Sequence, residues 1–286
     1  MTQWMTDMHW NESLHAKERE MDAQFAQRTV ALPDGSLLSL RERPAAGTPA
    51  LTLVLLHGIS SSAASWYDVA LALPPSLRVL AWDAPGYGAS TALATATPVN
   101  TDYADRLRAL IASEVTGRCV LVGHSLGALM AAPCAAQAAG LLLISPAGGY
   151  ALSEKREQVR SERLAALDRL GVEGLAQRID QRLLSPAADA QAREWVRWST
   201  ARMHADGYRQ AVNMLCDSDL GRDAPLSVPA FVAVGEHDVV TPPAACERWA
   251  GVYRAPFARI ARAGHASPVE NPAAVAGWIE DRVFSL

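Results

Sequence analysis

Leu121-Val122-Gly123-His124-Ser125-Leu126-Gly127 reads as a strand that breaks into a sharp turn and restarts as a helix. The apolar run Cys119-Val120-Leu121-Val122 leads into it, and the helix former Ala128-Leu129-Met130-Ala131-Ala132 follows. A G-x-S-x-G sequence in that setting is the pattern of a nucleophile elbow, with Ser125 at the tip of the turn. Gly123 and Gly127 suit it because the strained turn brings backbone segments too close for side chains, and glycine accepts unusual dihedrals without a Cβ clash. The motif by itself is weak, since a Gly/Ser turn is usually only a turn. The strand before it and the helix after it give it weight.

Working outward, the chain repeats this alternation. Upstream, an antiparallel hairpin is expected over 27–32 and 37–42 around the turn Pro33-Asp34-Gly35-Ser36. Leu51-Thr52-Leu53-Val54-Leu55-Leu56 is apolar on both faces, as a central parallel strand must be, and ends in His57-Gly58. Helices are expected at 66–73 and 103–115, with a strand at 78–82 between them that ends in Asp83. Downstream, Pro133 predicts a kink or an early end to the elbow helix, because it removes a donor and clashes with the preceding turn. Strands follow at 141–144, at 230–234 leading to Asp238, and at 258–261 leading to Gly264-His265. A final helix opens at Pro272, a residue favoured at the first helical position. This alternation predicts an α/β fold: a mostly parallel central sheet with helices on both faces and right-handed crossovers.

Between 150 and 223 the strand signals vanish. Charged amphipathic segments at 154–170, 174–183, 187–201 and 208–216 predict an all-helical cap insertion. The expected organisation is an N-terminal helical arm at 1–26, an α/β core at 27–149 and 224–286, and the cap at 150–223. Trp4, Met8, Trp10, Leu14, Met21 and Phe25 give the arm an apolar side that packs on the domain or on a second subunit, which keeps a homo-oligomer open.

Composition narrows the partners. The chain has 286 residues, half of them hydrophobic, so a large core can form. Its 26 basic and 30 acidic residues give a net charge of −4 and are interspersed, which argues against a nucleic-acid surface or a polybasic membrane patch. Neither a secretory apolar segment nor a run long enough to span a membrane is found. The four cysteines, Cys119, Cys134, Cys216 and Cys246, are far apart and read as buried thiols in a reducing cytoplasm. No phosphate loop, metal-ligand spacing or dinucleotide fingerprint occurs, so no cofactor and no metal is implied. A small-molecule substrate remains as the partner.

In an open parallel sheet, ligands collect at the carboxyl ends of the strands. Those ends carry His57-Gly58, Asp83, Ser125, Asp238 and His265. A serine hydroxyl is a poor nucleophile without a base, and imidazole is the side chain matched to neutral pH. His265 is the candidate base and Asp238 the carboxylate that orients its ring. Asp83 reads as structural. The order serine, acid, histidine is that of α/β-hydrolases.

From about residue 28 onward the chain resembles the α/β-hydrolase superfamily. The resemblance rests on His57-Gly58, Asp83-x-Pro-Gly-x-Gly-x-Ser90, Gly123-His-Ser-x-Gly127, Gly235-x-x-Asp238 and Gly264-His265. It implies an oxyanion hole formed by the backbone N–H groups of Ile59 and Leu126. His57, Gly58 and His124 are expected beside the pocket. Trp195, Trp198 and Tyr208 of the cap pack helices first, and those that face the sheet would wall the pocket. Arg197 and Arg202 read as surface charges ahead of carboxylate anchors. The cap ending His204-Ala-Asp-Gly-Tyr208 and Asp217-Ser-Asp-Leu220 is similar to that of enol-lactonases and related small-ester hydrolases, and Ser145-Pro-Ala-Gly-Gly149 is similar to meta-cleavage-product hydrolases. The expected function is a serine hydrolase of a carboxylic ester or lactone of a small, partly apolar molecule. The alternatives are a C–C bond hydrolase acting on a meta-cleavage product and a non-catalytic small-ligand receptor on the same fold.

Overall fold

The computed structural model describes residues 12–286, so Trp4, Met8 and Trp10 of the expected arm lie outside the described residues. The described residues begin with helix α1 (Glu12–Gln24) and the hairpin β1 (Ala26–Ala31) and β2 (Leu37–Arg43). Their turn forms because Gly35 takes φ 82° and Asp34 accepts a hydrogen bond from the Ser36 N–H at 3.1 Å. Next come β3 (Leu51–Leu56), a 3₁₀ turn running into α2 (Tyr67–Ala72), β4 (Leu77–Trp82) and α3 (Asn100–Glu114). Then follow β5 (Cys119–His124), α4 (Leu126–Ala131) and β6 (Gly140–Ile144). As expected from Pro133, α4 stops early and a 3₁₀ helix takes over at Ala132–Gln137.

Between β6 and the next strand lie α5 (Arg156–Leu183), α6 (Ala190–Ala201) and α7 (Ala205–Asp217), with no strand among them. The two segments expected at 154–170 and 174–183 are joined in α5 across a bend at Gly171. The start of α6 falls at Ala190 because Asp189 caps it, accepting from the Ala192 N–H at 2.7 Å. The chain then returns through β7 (Ala230–Gly235), α8 (Pro243–Tyr253), β8 (Phe257–Ile260), α9 (Ser267–Glu270) and α10 (Pro272–Val283).

The eight strands form one sheet in the order β1-β2-β4-β3-β5-β6-β7-β8. The hairpin joins antiparallel through β2 and β4, and every pair from β4 to β8 is parallel. Side chains of the central strands alternate between two core clusters. Val54, Leu56 and Leu121 enter one, while Leu53, Leu55, Val120 and Val122 enter the other. Strands this apolar on both faces are stable only under helices on both sides. Leu107 of α3 and Leu129 of α4 cover the first face; Val69 of α2 and Ile279 of α10 cover the second.

The helices α5 to α7 are seated over the carboxyl ends of the strands by polar bonds. Thr200 donates to the Ser60 carbonyl at 2.7 Å, Gln210 to the Leu93 carbonyl at 2.7 Å, and the Ala266 N–H to the Leu183 carbonyl at 2.8 Å. The described part of the arm packs on this same chain. Leu14, Met21 and Phe25 are buried with Trp66 and Trp195, and Lys17 pairs with Asp68 at 2.6 Å. Among the described residues no helix is long and apolar enough to cross a membrane.

Candidate active site

Parallel register brings the strand ends together: Leu56 pairs with Trp82 on one side and Gly123 on the other, and His124 pairs with Ile144. Just beyond β5, Ser125 takes φ 52° and ψ −116°, a conformation that side chains other than glycine rarely adopt. The turn is held from several directions. The Ser125 N–H donates to the Ile144 carbonyl at 3.0 Å, and its carbonyl accepts from the N–H groups of Ala128 at 3.1 Å and Ala147 at 3.0 Å. Glycine is required on both sides: a Cβ on Gly123 would lie 2.7 Å from the Gly127 carbonyl oxygen, and one on Gly127 would run into the Leu56 carbonyl.

His265 reaches this serine from the loop after β8, its Nε2 lying 2.9 Å from Ser125 Oγ. On the other side of the ring, Nδ1 lies 2.8 Å from Asp238 Oδ2. Burial would raise the Asp238 carboxyl, but the facing His265 ring, its hydrogen bond and the Thr241 N–H outweigh burial and hold the group at about 2. Its Oδ1 accepts from the N–H groups of Val240 at 2.8 Å and Thr241 at 2.9 Å, and Thr241 Oγ1 donates to Oδ2 at 2.9 Å. The carboxylate is therefore ionised and accepts from Nδ1–H, which leaves the Nε2 lone pair for the serine hydroxyl.

The two remaining histidines of the region brace loops. His124 Nε2 donates to the His265 carbonyl at 2.8 Å. Burial foremost, and then the neighbouring His265, push this imidazole down to about 3, so it is neutral. His57 donates from Nδ1 to the Gly58 carbonyl and accepts the Ala84 N–H on Nε2 at 3.0 Å. The Tyr87 hydroxyl donates to the Ile59 carbonyl at 2.7 Å, so the loop carrying Ile59 is tied on two sides. Among the described residues neither the Ile59 N–H nor the Leu126 N–H has a protein acceptor, and both residues border the cavity. Asp83 accepts from the Ala63 N–H at 2.9 Å and from Ser39 Oγ at 2.8 Å and takes no part in the cavity wall.

A cavity of about 570 Å³ opens above Ser125 and His265 under the helices α5 to α7. Gly58, His124 and Tyr208 line it. His57, Trp195 and Trp198 do not. His57 is turned into the core beneath the loop, where both of its ring nitrogens are engaged. Trp195 and Trp198 stack on each other at 4.5 Å on the neighbouring face of α6, with Lys17 of the arm 4.8 Å over Trp195 and Arg202 3.9 Å over Trp198. Val196 and Ser199, one position further along the same helix, face the cavity instead. Arg197 is held by Asp180 at 2.9 and 2.8 Å, away from the cavity.

Other residues here carry no motif. Glu270 accepts from the Gly264 N–H at 2.7 Å and the Ser185 N–H at 3.0 Å, joining the His265 loop to the end of α5. Arg163 and Arg182 of α5 also line the cavity, and nothing in their local sequence distinguishes them from the other arginines of that helix.

An elbow serine at the edge of a parallel sheet, hydrogen-bonded through histidine to a buried carboxylate, defines the architecture of the α/β hydrolases. Residues 53–278 match the model of the alpha/beta hydrolase family, and the chain belongs to that family. It is 29% identical over 203 residues, 66% of this chain and 77% of the other, to a pimeloyl-[acyl-carrier protein] methyl ester esterase of Vibrio campbellii. A 2-(acetamidomethylene)succinate hydrolase of Mesorhizobium japonicum is 35% identical over 85 residues, and the match spans only 30% of the length of either protein. In structure the chain is similar to the enol-lactonase of Burkholderia xenovorans, with a TM-score of 0.78 at 23% identity over 90% of this chain and 100% of that one. A thermophilic esterase of Thermogutta terrifontis gives a TM-score of 0.78 at 24% identity, covering 91% and 98%. At these identities the two structures show the shared fold.

Proposed function

We propose that this α/β hydrolase cleaves a carboxylic ester or lactone of a small, partly apolar molecule by acyl transfer to Ser125. The observation that carries this reading is the continuous chain from Ser125 Oγ through His265 to Asp238, at 2.9 and 2.8 Å, opening onto the cavity. In this reading Ser125 Oγ attacks the acyl carbon while His265 Nε2 takes its proton, and Asp238 stabilises the imidazolium that forms. The N–H groups of Ile59 and Leu126 hold the oxyanion. Collapse of the intermediate breaks the acyl–oxygen bond, and His265 returns its proton to the departing alkoxide. Water, deprotonated by His265, then releases the acid. Val159, Leu175, Ile179 and Val196 in the wall suit an apolar portion of the substrate. Four unpaired, buried thiols suit the reducing cytoplasm as its location.

Ser125→Ala is expected to lower turnover of a p-nitrophenyl ester by about 10⁴-fold or more, since it removes the nucleophile. Labelling by a fluorophosphonate should disappear with it while the fold is kept. An undiminished rate in Ser125→Ala overturns the mechanism, and ligand binding by the native chain without turnover makes it a receptor. The arginines in the wall favour a second reading, because C–C cleavage of a meta-cleavage product needs cationic groups that hold a ketonised acid. Comparing kcat/KM for a short ester, an enol-lactone and a meta-cleavage product on one preparation separates the two. A preference for the third, lost in Ser125→Ala, rejects the ester reading.

A further inference from the structure

Charge is unevenly distributed over the cavity wall. Arg163, Arg182 and Arg248 line it, against Glu162 among the acidic residues described there. Glu162, Arg182 and Arg248 are exposed to solvent on one side, Arg163 is half-buried, and Glu162 is engaged by Gln158 Nε2 at 2.8 Å. Several other arginines of α5 to α7 are matched by carboxylates, Arg160 by Asp217 at 2.6 Å, Arg197 by Asp180 at 2.8 Å and Arg209 by Asp168 at 2.5 Å, while the unmatched Arg169 and Arg178 are exposed and do not line the cavity. Among the described residues Arg163 and Arg182 have no such partner.

Their convergence depends on the bend in α5. The two residues are nineteen positions apart, which in a straight helix is about 28 Å of rise. Gly171, with φ 65° and ψ 178°, breaks the helix between them, and both side chains reach one cavity. Burial foremost, and then the charge of Arg163, pull the Arg182 guanidinium below its ordinary value, with Tyr208 and Tyr150 acting in the opposite direction. Two like charges facing one partly enclosed, largely apolar space repel each other until an anion joins them.

We propose that Arg163 and Arg182 form a carboxylate-binding subsite, so that the bond cut at Ser125 belongs to a molecule bearing a second, free carboxylate. The substrate class is then a half-ester of a dicarboxylic acid, or a lactone that carries an acid group. This rests on the ester-hydrolase reading and narrows it. A carboxylate matches the planar fork of a guanidinium. With Glu162 in the same wall, a single negative charge is favoured over the double charge of a phosphate ester.

The experiment compares mono-p-nitrophenyl glutarate with p-nitrophenyl butyrate. The native chain is expected to favour the half-ester, and the ratio of the two kcat/KM values should fall about 10-fold or more in Arg163→Met/Arg182→Met, the loss expected for a charge-assisted hydrogen bond. The ratio does not depend on how much of the variant folds. Arg163→Lys/Arg182→Lys, which keeps the charge, should retain part of the preference. An unchanged ratio in the methionine variant overturns the subsite. Calorimetry on Ser125→Ala with monomethyl glutarate gives a reading independent of turnover. Binding that is lost on adding the two methionine substitutions supports the subsite even if neither ester is hydrolysed, in which case the hydrolase reading fails by itself. Methyl phosphate bound more tightly than monomethyl glutarate overturns the assignment to a carboxylate.

Discussion

Ser125 sits in a backbone conformation that costs about 1–3 kcal/mol for a residue with a side chain, and its neighbours enforce it. Three backbone hydrogen bonds close around the residue, and the glycines on either side leave no room for the turn to relax. His124, next to it, contributes differently. Its Nε2–H fixes the backbone at His265, and burial holds the ring neutral down to about 3. In the unfolded chain the ring takes up a proton below its ordinary value of 6.5. Its contribution to stability is therefore complete above pH 6.5 and is lost as the pH falls toward 3. Across that window His124 is expected to cost about 1.4 kcal/mol per pH unit. Denaturant unfolding measured against pH should show a slope shallower by about one proton in His124→Gln, and an equal slope in the two proteins would contradict the assignment. Ser125, Asp238 and His265 were legible in the sequence because each lies in the loop just after a strand, and parallel strands bring their carboxyl ends to one edge. Trp195, Trp198, Arg163 and Arg182 were not, because on a helix between two apolar neighbours the pattern of residues marks two buried sides without saying which of them is the cavity.

The bend in α5 is an element that the sequence did mark. The sequence places a break between 170 and 174 through its glycines, and the structure has it at Gly171, whose backbone is non-helical between the two helical halves of α5. An added Cβ at Gly171 would meet no atom within 4 Å, so the requirement for glycine is one of conformation and not of space. The φ and ψ values lie in a region that is essentially reserved for glycine. Gly171→Ala is thus expected to cost about 1–3 kcal/mol or to straighten the helix and carry Arg163 away from Arg182. Thermal unfolding reads the first outcome, and a reduced preference for a half-ester reads the second. A variant as stable and as selective as the native chain would mean that the bend is dispensable. The start of α6, by comparison, is fixed by Asp189, a capping signal that was present in the sequence but masked by the good helix formers before it.

At the scale of the molecule, α1 ties the helices α5 to α7 to the sheet domain. Lys17 bridges from Asp68 at the start of α2 to the face of Trp195, and Glu18 meets Arg202 at 3.1 Å. Removing residues 1–24 takes the side chains of Leu14 and Met21 out of the core cluster that also holds Trp66 and Trp195. Each of those two buried side chains is worth about 1.5–3 kcal/mol, so the truncated chain should unfold at a lower temperature, with its tryptophan emission shifted to the red. An unchanged melting temperature would show that the arm is only an appendage. The connection at the other end of the insertion has a different character. Gly149 and Asp219 form an antiparallel bridge, the Tyr150 N–H bonds to the Leu215 carbonyl at 3.0 Å, and the Leu220 N–H bonds to the Gly148 carbonyl at 2.9 Å. The chain leaves the sheet and returns to it through a single stitched doorway, so the segment between those residues is expected to be exchangeable as one cassette while β6 and β7 keep their register. Recombination at that doorway would give an evolving genome, or an engineer, new selectivity without altering the chemistry beneath it.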